Sequence, residues 1–244
     1  MTQYPTWFND WYHQSLANYR QLDSNYIRTE HIRPLNADLV QYSSLTNSES
    51  IASVAMVKLN GGLGTSMGCT GPKSLIKCSP DGRTFLDIIV SHYQQNQQIT
   101  DLIFLNSFNT SQQTTDHLND NYTSLVWSEV MQLPFKKVDQ ATGQPFDSDL
   151  PKYMNPPGHG SIYYDLYHSG ILHKLQEKGV EYLFISNADN LAANVDPYIA
   201  SYLQGSGIDF LIELTEKFDS DKKGGTVINY NGQLKLWESA QVAD

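Results

Sequence analysis

An α/β fold, with a parallel or mostly parallel sheet covered by helices on both faces, is the architecture this sequence predicts. Three observations point to it. Apolar, strand-like runs alternate with helix-like segments over residues 51–203, which is the pattern of βαβ units. The first of those runs ends directly in a glycine-rich loop, and open α/β sheets bind ligands in loops at the carboxyl ends of their strands. Of 244 residues, 40% are hydrophobic and 17% charged, a globular composition that excludes collagen and charge-driven disorder.

Residues 7–22 read as an amphipathic helix, with Phe8, Tyr12, Leu16 and Tyr19 at helical spacing beside Trp7 and Trp11. Residues 23–48 are polar, carry the breaker Pro34 and lack periodicity, so they read as a linker. The division expected is therefore an N-terminal helical segment and linker over 1–50, and one main domain over 51–244. The apolar run 51–59 is a strand that enters Asn60-Gly61-Gly62. Apolar positions at 85, 86, 88, 89, 90 and 93 make a helix of 84–94 with Thr84 near its N-cap. Residues 101–105 form a buried-type strand, 111–122 a polar helix, and 124–131 a strand. Five of the ten prolines fall in 133–160, which reads as a long functional loop or lid. A helix over 161–178, bent at Gly170, leads to a strand at 180–185 and a short helix at 197–203. Strands are expected at 208–214, 225–230 and 233–237, the last two joined by an Asn231-Gly232 hairpin turn. The chain stops soon after that hairpin without a closing helix, so a C-terminally incomplete sheet is expected.

Charge and cysteine content narrow the functional classes. Acidic residues number 26 and basic ones 16, a formal charge of −10. That balance argues against non-specific nucleic-acid binding, which requires Lys and Arg against phosphates. No apolar run approaches the ~20 residues of a membrane span, and the N-terminus shows no basic region followed by an apolar stretch. Two cysteines, Cys69 and Cys78, make neither a disulfide framework nor a zinc ribbon. The expected setting is a reducing cytoplasm.

The chemistry concentrates in three places. Five glycines fall within eleven residues over 61–71, followed by Pro72-Lys73-Ser74. Glycines let backbone N–H groups approach an anion or a flat base, and Lys73 can neutralise a phosphate as a point charge. The spacing is neither that of a P-loop nor GxGxxG, which disfavours P-loop NTPases and dinucleotide oxidoreductases. Second, Asn155-Pro156-Pro157-Gly158-His159-Gly160 stiffens a turn whose glycines open room around His159. A lone histidine is more often a satisfied polar residue; these flanks argue for a ligand. Third, Ser186-Asn187-Ala188-Asp189-Asn190 follows a strand. A carboxylate there suits Mg²⁺, which takes hard oxygen ligands together with substrate phosphates, and equally an Asx turn. Taken alone, Lys222 and Lys223 read as a solvated turn, Glu238 as a surface acid, and Cys69 as packing.

In this order the features resemble the eukaryotic-type UTP–glucose-1-phosphate uridylyltransferases, or UDP-glucose pyrophosphorylases. Residues 59–74 match that family's glycine loop throughout, and further matches are Asn106-Ser107-Phe108-Asn109-Thr110, Pro156-Pro157-Gly158-His159-Gly160, Asn187-Ala188-Asp189-Asn190-Leu191, Lys223-Gly224-Gly225-Thr226 and Glu238-Ser239-Ala240-Gln241-Val242. The resemblance runs over residues 54–242. It implies a Rossmann-like nucleotidyltransferase core related to the GT-A glycosyltransferases, and Mg²⁺-dependent formation of UDP-glucose and pyrophosphate from UTP and glucose 1-phosphate. The sugar phosphate is itself the nucleophile, so the protein has to align two polyanions and spread their charge.

Carried onto this chain, the resemblance implies that Leu59, Gly61 and Gly62 hold the uridine end and that Lys73 binds the UTP phosphates as the catalytic cation. His159 contacts the sugar phosphate, Gly160 approaches the uracil, Asn187 contacts ribose or sugar, and Asp189 ligates Mg²⁺. Gly225 and Glu238 lie along the glucose. The glutamine that reads uracil in the family corresponds to Gln132, within a segment that lacks the family's arginine. The Pro-Pro-Gly-His-Gly sequence favours glucose over other UDP-sugar substrates. The family continues well past Val242 with further sugar- and phosphate-contacting motifs and a β-helical domain. Three outcomes stay open: an active enzyme assembled with a companion chain that supplies the missing half, a UTP-binding fragment without turnover, and a truncated product without a stable function.

Overall fold

The computed structural model describes residues 4–20, 26–33, 35, 39–46, 53–64, 68, 70–216, 218, 225–238 and 241. Expectations for Pro34, residues 51–52, Cys69 and residues 222–224 lie outside them. In chain order the helices are α1 (Thr6–Tyr19), α2 (Phe85–Gln95), α3 (Ser111–Asn121), α4 (Ile162–His168), α5 (Ile171–Glu177) and α6 (Pro197–Ser206). The strands are β1 (Ile32–Arg33), β2 (Val54–Asn60), β3 (Ile99–Ser107), β4 (Ser128–Gln132), β5 (Phe135–Lys136), β6 (Met154–Asn155), β7 (Tyr182–Asn187), β8 (Thr226–Tyr230) and β9 (Gln233–Trp237). Two units are present, one of Met1–Leu45 with Ile208–Asp244, the other Thr46–Gly207.

The second unit is built on a four-stranded parallel sheet in the order β4-β3-β2-β7. The chain steps outward from β2 to β3 to β4, then returns to the other side of β2 for β7. Right-handed crossovers put the connecting helices of those two directions on opposite faces, and the packing follows. On one face Leu86, Ile89 and Val90 of α2 and Leu118 of α3 cover Val54, Met56, Leu102 and Phe104. Trp127 joins this layer, meeting Phe104 edge-on at 5.9 Å between ring centroids. On the other face Ile162, Leu166, Ile171 and Leu175 of α4 and α5 cover Ala55, Val57, Ile103, Leu105 and Val130. Both faces being covered explains why 54–57 is a continuous apolar run and not an alternating one.

Local chemistry sets the helix ends. Thr84 caps α2 in a capping box with Asp87. Asp196 caps α6 through the N–H groups of Tyr198 and Ile199, with Pro197 at the first helical position. The helical stretch expected over 161–178 is two helices separated by Gly170, whose φ of 75° is left-handed and ends the first of them.

Residues 133–160 are more ordered than a lid. β5 and β6 pair antiparallel, Lys137 N donates to Tyr153 O at 2.8 Å, and Phe146 stacks on Tyr153 at 4.8 Å. The prolines bound a ribbon here, because its ladder is short enough to avoid them.

In the first unit β1, β8 and β9 form an antiparallel sheet in that order. The hairpin turn holds Asn231 at φ 53° and Gly232 at φ 84°, the two left-handed residues of a type I′ turn. Arg33 and Ile32, inside the stretch read as a linker, pair with Asn229 and Tyr230. The strand expected at 208–214 does not form: the described residues 208–216 adopt no ladder, and Phe210, Ile212 and Leu214 are exposed. Apolar alternation alone does not make a strand without a neighbour to receive its backbone hydrogen bonds.

Candidate functional site

The reversal of strand order falls between β2 and β7, and in open α/β sheets the ligand crevice lies outside the carboxyl ends at such a switch point. The candidate residues gather there. Leu59 is opposite Asn187 in the ladder, and Ala188 N donates to Leu59 O at 3.0 Å. The glycine loop leaves from β2 and folds back on itself: Gly64 N donates to Gly71 O at 3.0 Å and Lys73 N to Gly62 O at 3.3 Å. That return places Lys73 Nζ 3.2 Å from Asp189 Oδ2, just beyond β7. Both side chains are about one-third exposed (35% and 37%), so each can exchange the other for a ligand.

His159 completes this edge, close enough to Asp189, Lys73 and Asn187 to feel all three. It is accessible to solvent, yet crowded by protein atoms. That desolvation lowers its pKa below the usual histidine value, with Asp189 opposing, Lys73 adding and Asn187 opposing. The ring is therefore neutral at pH 7 and can donate or accept according to its tautomer.

Two strands from β2, Gln132 ends β4. It is buried, and its Nε2 donates to Gly158 O and to Ser161 Oγ, each at 2.8 Å. Its Oε1 occupies the space that a side chain on Gly61 would fill: a Cβ there would stand 2.3 Å from that oxygen. The end of a flexible side chain ordinarily gives way, but this one is held by two hydrogen bonds in a buried site. Gly61→Ala is therefore expected to lower stability by about 1–3 kcal/mol, whereas Gly62→Ala, with nothing within 4 Å, should be neutral. Urea denaturation of the two variants checks the contrast.

Gly160 is exposed beside His159. Gly225 and Glu238 belong to the first unit, where a Cβ on Gly225 would come 2.9 Å from Glu238 Oε1. Among the described residues no cluster of three or more His, Cys, Asp or Glu is placed to hold a metal. A single carboxylate, Asp189, fits Mg²⁺ bound mainly through substrate phosphates and water, and does not fit an all-protein metal cage.

Several buried polar residues support this edge without having stood out beforehand. Lys58, at 1% exposure, donates to Ser186 Oγ (2.8 Å) and Ala193 O (2.9 Å), tying down both ends of the segment that carries Asn187 and Asp189. Burial lowers its pKa to about 8. Asn60 donates to Asn106 Oδ1 at 2.7 Å, and Asn106 to Glu129 Oε1 at 2.7 Å, a polar chain across β2, β3 and β4. A lysine interrupting an otherwise apolar strand was the visible signal for the first of these.

Asp165, in α4, is buried, and its pKa is raised to about 6 by that burial, the Ser161 hydrogen bond opposing. A folded-state pKa above the unfolded value means that the stabilising protonated form is fully present below pH ~4 and is lost as pH rises through ~6. Relative to the parent, Asp165→Asn should gain on the order of 2 kcal/mol between pH 4 and pH 8. Parallel thermal denaturation at the two pH values reads that difference.

The fold and this edge together define an open α/β protein with its candidate site at the switch point of a parallel sheet. Comparison with known proteins narrows the class. The chain belongs to the UTP–glucose-1-phosphate uridylyltransferase family, whose model matches residues 6–244. It is 40% identical over 245 residues to the UTP–glucose-1-phosphate uridylyltransferase of Encephalitozoon cuniculi, covering 93% of this chain and 49% of that protein. It is 41% identical over 219 residues to the Saccharomyces cerevisiae protein of the same name, covering 84% and 43%. A UDP-glucose pyrophosphorylase mutant from Leishmania major, crystallised in complex with UDP-glucose, superposes with a TM-score of 0.82 at 35% identity, over 93% of this chain and 53% of that one. The chain thus spans about half the length of the curated relatives it matches. No helix among the described residues is long and apolar enough to cross a membrane.

Proposed function

We propose that this chain carries the UTP-binding part of an enzyme that makes UDP-glucose and pyrophosphate from UTP and glucose 1-phosphate, in a cytoplasmic setting, with the catalytic core assigned to residues 51–244. The observation that carries this reading is the meeting of Lys73 and Asp189 at the switch point, within a chain of this family. Attack by the sugar phosphate on the α-phosphorus needs no protein nucleophile. It needs the attacking and leaving oxygens aligned and the charge of two polyanions balanced.

Lys73 is positioned to leave Asp189 for the UTP phosphates as their fixed positive charge. Leu59, Gly61 and Gly62 offer backbone groups to the uridine, and Gln132 and Gly160 face the uracil. His159 is assigned to the sugar phosphate, and Asn187 to ribose or sugar. Gly225 and Glu238 are assigned to the glucose. Asp189 would hold Mg²⁺, whose chemistry is to neutralise phosphate charge. Turnover, as distinct from nucleotide binding, is expected where sequence corresponding to the relatives' remaining half is also present, in one polypeptide or as a companion chain.

Thermal unfolding of the purified chain, with and without UTP and Mg²⁺, tests the binding step. A ligand that binds only the folded state raises the midpoint by mass action. A midpoint unmoved by millimolar UTP with Mg²⁺ would remove the reading.

A further inference from the structure

The strand that leads into the glycine loop carries a buried cation to which the reaction gives no direct part. Lys58 lies in β2, one residue before Leu59, and is 1% exposed. Burial is the cause of its lowered pKa, with no neighbouring acid opposing. Its ammonium rests 5.3 Å from the centre of the Phe184 ring and donates to Ser186 Oγ at 2.8 Å and to Ala193 O at 2.9 Å. An ammonium buried without an acid is less favourable than an apolar side chain of similar volume, and β2 is apolar from Val54 to Val57. What the lysine supplies lies in where its two bonds fall. Ser186 precedes the segment that holds Asp189, and Ala193 follows it.

The near end of that segment is fixed by the sheet. Asn187 pairs with Leu59 in the ladder, and Ala188 N donates to Leu59 O at 3.0 Å. The far end lies outside any strand. Ala193 N reaches back to Asn190 Oδ1 at 3.3 Å, which closes the segment on itself, and Lys58 ties the Ala193 carbonyl to β2. Asp189 stands between the two ends, 3.2 Å from Lys73 Nζ.

We propose that Lys58 is a positioning residue for Mg²⁺–UTP binding: by fastening Ser186 and Ala193 to β2 it keeps the Asp189 carboxylate opposite Lys73, available to a cation carried on the UTP phosphates. This rests on the assignment of Asp189 as the Mg²⁺ ligand. The ladder holds Asn187 with or without Lys58, so losing the lysine loosens the metal-dependent part of binding.

The test is how much Mg²⁺ strengthens UTP binding, as the ratio of affinities measured by calorimetry with Mg²⁺ and with EDTA. The parent chain is compared with Lys58→Met, Ser186→Ala, Ser186→Thr and Asp189→Ala. Asp189→Ala should lose most of the Mg²⁺ gain. Lys58→Met, which keeps the length and removes both bonds, should lower it about five- to tenfold, and Ser186→Ala, which removes one, about threefold. Ser186→Thr, which keeps the hydroxyl, should stay near the parent. The lost charge of Lys58→Met cannot imitate this result. It weakens metal-free UTP, the more negative ligand, more than the Mg²⁺ complex, and so raises the ratio. If folded Lys58→Met keeps the parent gain within twofold, or Ser186→Thr falls as far as Ser186→Ala, the positioning role is overturned while Asp189 as ligand stands. Should Lys58→Met not fold, the serine variants decide, and a parent-like Ser186→Ala overturns the role. If the parent shows no Mg²⁺ gain, or Asp189→Ala keeps it, the Mg²⁺ assignment fails and the proposal with it.

Discussion

Lys73→Ala is expected to remove most of the UTP-induced rise in unfolding midpoint while leaving the ligand-free midpoint almost unchanged. Two magnitudes separate these effects. The Lys73–Asp189 pair is about one-third exposed on both sides, and such pairs contribute about 0–1 kcal/mol to stability. A charge-assisted hydrogen bond to a phosphate is worth about 1.5–3 kcal/mol of binding, or roughly 10- to 100-fold in affinity. At a UTP concentration 100 times the parent dissociation constant, binding stabilises the folded chain by about 2.7 kcal/mol; a 100-fold weaker variant keeps about 0.4 kcal/mol. For a chain of this size that is a shift of about 5–10 °C reduced to about 1 °C. Asp189→Ala should behave likewise in the presence of Mg²⁺. A lysine variant that responds to UTP as the parent does would refute the phosphate role.

The second large effect is on stability. Asp87→Ala should lower the unfolding free energy by about 3 kcal/mol, more than most single substitutions. One carboxylate here receives four hydrogen bonds: from Thr84 N (2.7 Å), Thr84 Oγ1 (2.8 Å), His117 Nε2 (2.6 Å) and Tyr122 OH (2.8 Å). It therefore caps α2 and fastens that helix to the far end of α3. Burial on its own would raise its pKa, but the bonds from Thr84, His117 and Tyr122 together outweigh that and hold it at about 2. The sign of the pH dependence follows: its stabilisation is complete above the unfolded value near 4 and is lost as pH falls through about 2. Urea denaturation at pH 7 and pH 3 should show the gap between parent and variant narrowing in acid.

How legible these features were depended on how local their chemistry is. The glycine loop with Lys73, the Thr84 cap and the Asn231-Gly232 turn are set by neighbours within a few residues, and each sits where the sequence placed it. The parallel sheet was readable because strands covered on both faces leave continuous apolar runs. Whether Ile32 and Arg33 form a strand, or residues 208–214 do not, depends on whether a distant segment presents a free edge. No local pattern records that. The same holds for the support of the site. Lys58 finds Ser186 and Ala193 across more than 120 positions, and Gln132 finds Ser161 across 29.

The distribution of indoles in the two units has an optical consequence. Of the four tryptophans, Trp7, Trp11 and Trp237 belong to the first unit, and Trp127 alone to the unit with the parallel sheet. Trp127 lies against Phe104 in the layer under α2 and α3, so its emission reports the packing of that layer. A chain carrying phenylalanine at 7, 11 and 237 would keep a single tryptophan, reporting on the parallel-sheet unit. Set beside the far-ultraviolet dichroism of the whole chain, its melting curve would show whether the two units melt together or one after the other, without an added label.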